Sequence, residues 1–72
     1  MPYHLLLGKS LPYCQAPINT VVAVRDYCRK NQIPVPLCGY QSEESAEAAA
    51  AIIRKAAPGR TVIIAEGHCP AS

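Results

Sequence analysis

The sequence contains no tryptophan and no phenylalanine, which leaves four tyrosines as its large aromatic side chains. Proteins that bind single-stranded nucleic acid stack bases on such rings, so that class is not expected. Charge is scarce as well: seven Lys and Arg against five Asp and Glu leave a formal charge of +2. The one basic cluster, Arg25, Arg29 and Lys30, is interrupted by Asp26, which suits a solvated helix face better than a stripe that tracks phosphates. No nucleic-acid partner is expected.

Long hydrophobic runs are missing too. Leu5, Leu6 and Leu7 form a run of three with no basic residue before it, so the N-terminus reads neither as a signal peptide nor as a membrane span. The expectation is a cytoplasmic protein without membrane contact, in which cysteines stay as thiols. The four cysteines are separated by 14, 10 and 31 residues and contain no C-x-x-C pair. His68 and Cys69 are the only adjacent ligand types, so the spacing predicts no metal site and no cofactor.

Catalytic constellations are equally thin. Glu43, Glu44 and Glu47 open a helix and Asp26 and Glu66 stand alone, so there is no carboxylate pair for acid and base work. Gly8-Lys9-Ser10 matches the end of a phosphate-binding P-loop, but Tyr3 stands where its first glycine belongs and Pro12 interrupts the helix that should follow. Nucleotide hydrolysis is excluded on that ground.

What is present is a chain of 72 residues, half of them hydrophobic, enough for one domain over residues 1–72. A chain this short buries only about 60% of its unfolded surface, so a second copy of the chain is expected to supplement the core. Tyr3 to Gly8 reads as a buried strand, and Lys9 to Pro17, with two prolines, as an irregular connection. Asn19 caps a helix that places Val21, Ala23, Val24, Tyr27 and Cys28 on one side and Arg25, Asp26, Arg29 and Lys30 on the other. The β-branched run Thr20 to Val24 competes as a strand, and the helical period is preferred. Asn31 and Gln32, before Ile33-Pro34, stop the helix.

Val35 to Gly39 reads as a second strand, at an edge or irregular because Pro36 lacks a donor. Ser42 then caps the second helix, with Glu43 and Glu44 at its start, Arg54 and Lys55 at its end, and Pro58-Gly59 as its stop. Its inner face is Ala46, Ala49, Ala50, Ile53 and Ala57. Thr61 to Glu66 is the third strand, and 67–72 form a loose tail. The predicted fold is therefore a small α/β domain, β-α-β-α-β, with a mostly parallel three-stranded sheet and two helices, in strand order 2-1-3 or 1-2-3.

In a parallel sheet the carboxyl ends of the strands share one edge, where ligands bind. That brings together Gly8, Lys9 and Ser10, then Gly39, Tyr40, Gln41 and Ser42, then Gly67 and His68, around a phosphate-bearing small molecule or another anion. Cys14 and Cys69, in loops, are the candidate reactive thiols, and His68 stands beside the second of them. Cys28 and Cys38 read as small hydrophobes. Three functions are expected in descending order. The first is a non-enzymatic, self-associating regulator or inhibitor that contacts a larger protein partner. The second is an anion or nucleotide binder, and the third a thiol-based enzyme or redox protein.

Overall fold

A computed structural model describes residues 2–8 and 10–69. The elements are β1 (Tyr3–Leu7), β2 (Leu11–Pro12), a 3₁₀ turn at Tyr13–Gln15, α1 (Ile18–Asn31), β3 (Gly39–Tyr40), α2 (Glu43–Ala56) and β4 (Val62–Glu66). The α2 helix follows its capping signals: the Ser42 hydroxyl accepts the Ser45 N–H at 3.2 Å, acids occupy the first turn and bases the last. Ala46, Ala49, Ala50 and Ile53 are its buried stripe. Arg54 crosses to donate to the Val62 carbonyl at 2.8 Å and so ties the helix end to β4.

In α1 the helical period prevails over the β-branched run. Thr20, Val24 and Cys28, four residues apart, are buried, while Arg25, Asp26, Arg29 and Lys30 are exposed. Pro17 occupies the cap position, and the Asn19 side chain accepts from Thr20 one residue later. Gln32, in the left-handed region at φ 56°, ends the helix, and the Ile33 N–H donates to the Cys28 carbonyl.

The mostly parallel three-stranded sheet is not what forms. The sheet has four strands, and β2, β3 and β4 all run antiparallel to β1. The cause lies in the segment read as an irregular connection. Gly8 takes φ 75°, the chain reverses there, and Leu11–Pro12 pair back onto Leu7 and Leu6. Further along, Val35 to Cys38 form no strand, because Pro34 and Pro36 supply no donors and only Gly39–Tyr40 pair with β1.

All five residues of β1 pair with β4 on one edge, from Tyr3 opposite Glu66 to Leu7 opposite Val62. Tyr3 and His4 also pair with β3, and Leu6 and Leu7 with β2, so those two short strands share the other edge end to end. Since β3 and β4 each oppose β1, they run parallel to one another. The unit β3-α2-β4 therefore keeps a parallel strand-helix-strand relation, with β1 inserted between its strands.

Leu5, Leu7 and Val62 join the α2 stripe, Val24, Cys28 and Tyr13 in one core. Residues opposite each other on paired strands share a face, which puts His4, Leu6, Pro12, Ile63 and Ala65 on the reverse side of the sheet, where His4 and Pro12 are buried and the other three are not. Ile63 is 42% exposed there. Among the described residues no helix is long and apolar enough to cross a membrane. Of the segment expected as a loose tail, Gly67 to Cys69 follow β4 with Cys69 buried, and residues 70–72 lie outside the described residues.

Candidate functional site

Antiparallel pairing sends the strand tips to opposite ends of the sheet. Gly8 lies at the Leu7 end, where its N–H donates to the Thr61 carbonyl, and exposed Ser10 follows it. Lys9 lies outside the described residues. Gly39 and Gly67 lie at the Tyr3 end, one strand length away, roughly 17 Å at about 3.4 Å per residue. The expected convergence of three glycine-ended tips, which rested on parallel strands, does not occur. Ser42 serves as the α2 cap.

At the Tyr3 end the chain does build a cavity, of about 310 Å³, and Gly39, Tyr40, Gln41 and His68 are on its wall. Three cysteines share that wall: Cys14, Cys38 and Cys69. Their sulfurs all lie within 4.8 Å of one another. Cys14 Sγ is 2.8 Å from Cys69 Sγ, and Cys38 Sγ donates to Cys69 Sγ at 3.3 Å. The second contact spans 31 residues of chain and the first 55, so no local spacing reports either.

Each sulfur is placed by a different device. Tyr13, buried in the core, anchors the 3₁₀ turn and leaves Cys14 exposed beside it. The Cys38 carbonyl accepts the Leu5 N–H at 3.0 Å, which lengthens the β1–β3 ladder by one bond and fixes Cys38 at the sheet edge. Cys69 is turned back toward the sheet by Gly67, whose φ of 104° belongs to the left-handed half of the map. The Gly67 N–H donates to the Pro2 carbonyl at 2.8 Å. Its own carbonyl accepts from His4 Nδ1 at 2.9 Å, and since a carbonyl only accepts, the His4 proton sits on Nδ1. Buried His4 is thus a positioning residue for the Cys69 turn.

Among the described residues, the electrostatics of this corner are those of thiols without a cation. The hydrogen bond to Cys69, with burial and Cys38 adding to it, pushes the Cys14 thiol up to about 12. Nucleophilic cysteines sit instead beside a positive charge that lowers them. Among the described residues on the cavity wall only His68 can become a cation, and its exposed ring is not among the groups that close on the three sulfurs. Three thiolates gathered here would need a positive charge, which a metal ion can supply.

Cys28 stands apart, fully buried on α1, with its thiol pushed up by burial alone. Close ligand pairs, the usual mark of a metal site, are missing, and that is why the spacing gave no site. One signal was nonetheless available. Cys14, Cys38 and Cys69 each fall in an aperiodic segment behind a proline or glycine, Pro12-Tyr13-Cys14, Pro36-Leu37-Cys38 and Gly67-His68-Cys69, whereas Cys28 falls on a helical stripe. No family model, curated protein or solved structure matches this chain.

Proposed function

We propose that this chain is a small non-enzymatic binding protein whose ligand is a thiophilic metal ion, held by Cys14, Cys38 and Cys69. The observation that carries the reading is the convergence of three sulfurs within 4.8 Å from three distant segments. Thiolates select soft or borderline ions such as Zn²⁺ and Cu⁺. Tetrahedral zinc with bonds of about 2.3 Å needs sulfurs about 3.8 Å apart, so the present contacts of 2.8 and 3.3 Å require only small side-chain rotations. Three protein ligands would leave a fourth position open.

The test is uptake of Zn²⁺ by the reduced protein, followed by native mass spectrometry, with Co²⁺ as a spectroscopic reporter of thiolate ligation. One ion per chain is expected, with a sulfur-to-cobalt charge-transfer band that disappears in Cys14→Ser and persists in Cys28→Ser. Cys14 is exposed, so its serine variant keeps the fold. Equal uptake by the native chain and by Cys14→Ser overturns the reading.

A second reading, self-association of a regulator or inhibitor, is favoured by exposed Ile63 beside half-buried Leu6 and Ala65 on the reverse face of the sheet. It expects a dimer by sedimentation at micromolar concentration and a monomer for Ile63→Lys. A strict monomer across that range removes it.

A further inference from the structure

We propose that the three-thiol corner is redox-gated: a low-molecular-weight disulfide converts it to an internal disulfide through Cys69, which abolishes ion binding until a thiol reductant reopens it. The proposal rests on the ion-binding reading of the same site.

The geometry singles out Cys69 as the pivot. Its sulfur touches that of Cys14 at 2.8 Å and that of Cys38 at 3.3 Å, and a disulfide needs about 2.05 Å. Cys14 is exposed, so it is the sulfur that an incoming disulfide reaches first. Cys28 is sealed in the core and takes no part.

The chemistry balances with the small disulfide as oxidant. One cysteine, as its thiolate, attacks a sulfur of RSSR, forms a mixed disulfide and expels RS⁻. The second cysteine, also as its thiolate, attacks the protein sulfur of that mixed disulfide and expels the second RS⁻. Two protein thiols are oxidised, one RSSR is reduced to two RSH, and the two protein protons end on the two released thiolates. Attack by Cys38 on Cys69 then moves the bond to Cys38–Cys69 and frees Cys14. Either disulfide consumes two of the three donors, and Cys69 is lost in both, so the ion has no route to three thiolates in the oxidised chain.

The experiment treats reduced protein with hydroxyethyl disulfide, quenches in acid, maps disulfides in non-reduced peptides and titrates reduced, oxidised and re-reduced protein with Zn²⁺. Expected are Cys14–Cys69 and Cys38–Cys69 linkages, Cys28 unmodified, and Zn²⁺ affinity weakened by at least about a hundredfold and restored by reductant. In Cys38→Ser the map should contain Cys14–Cys69 alone. Linkages through Cys28, or mixed disulfides that never close, overturn the gate. So does Zn²⁺ binding that is equally tight before and after oxidation. If the reduced protein takes up no Zn²⁺, the ion-binding reading itself fails, whatever disulfides form.

Discussion

Cys14 and Cys28 are both thiols held away from reaction, but by opposite means. Cys28 is at 0% exposure in the core, and burial alone raises its thiol. Cys14 is exposed, and its thiol is raised first by a hydrogen bond to another cysteine. The first is suppressed by hydrocarbon and the second by its own kind. Only the second suppression can be lifted by an ion that replaces the shared proton, which is why the corner and not the core is the proposed site.

Alkylation gives the largest separation between the two. Because the thiolate is the reactive form, Cys14 should be slow at neutral pH and should speed up by about tenfold per pH unit below its own pKa. Cys28 should react only when the fold opens, so its rate should fall by roughly a thousandfold or more relative to unfolded chain and should recover in urea. Mass mapping of iodoacetamide adducts reads both. Cys28 labelling that urea does not accelerate would break the comparison, because burial would then not be what protects it.

Stability gives the next largest contrast. Cys28→Ser places a hydroxyl where the core is apolar and should cost about 1–3 kcal/mol in urea unfolding. Cys38→Ser, half-buried at the cavity wall, should stay within about 0.5 kcal/mol in the absence of metal. A reversed order would mean that the corner, not α1, holds the fold together.

These two cysteines also mark what the sequence makes legible. The place of Cys28 follows from a helical period that runs through Thr20 and Val24, and the α2 helix follows from Ser42, its end charges and its alanine stripe. Both are local signals. Strand direction is not local. It turns on a two-residue strand, Leu11–Pro12, whose proline argues against any strand and whose pairing depends on the reversal at Gly8. Without that reversal, local signals alone put the strand tips on one edge and make the glycines a common rim. Cys14, Cys38 and Cys69 meet only because β1 is central and antiparallel to its neighbours, so their contact was out of reach of spacing rules that look for close ligand pairs.

Backbone strain provides a smaller test of how the corner is assembled. Gly39 lines the cavity and Gly67, at φ 104°, stands two residues before Cys69, and an added Cβ meets nothing within 4 Å at either. Gly39→Ala should therefore be nearly neutral, while Gly67→Ala should cost about 1–2 kcal/mol through its backbone conformation alone. Since Gly67 carries the turn to Cys69, its variant should also weaken Zn²⁺ uptake, and the Gly39 variant should not. Equal loss of uptake in both would assign the effect to crowding of the cavity rather than to the turn.

The smallest effect is a slope with pH, and it comes from the core side of the comparison. Cys28 and Tyr13 are neutral when protonated, and burial raises both above their ordinary values of 9.0 and 10.0. The folded chain therefore holds these two protons after the unfolded chain has begun to release them. Stability from this source is complete below about pH 9 and is lost as pH climbs through the ordinary thiol and phenol values toward the raised ones. Urea midpoints measured from pH 7 upward should be flat at first and then decline past pH 9, without metal present. Cys28→Ala should start from a lower midpoint, because it leaves a cavity, yet decline less steeply from the same onset, because its proton is gone while that of Cys14 remains. A decline of unchanged steepness in that variant would assign the alkaline loss to Tyr13 and the three-thiol corner, and the core thiol would then be silent in titration.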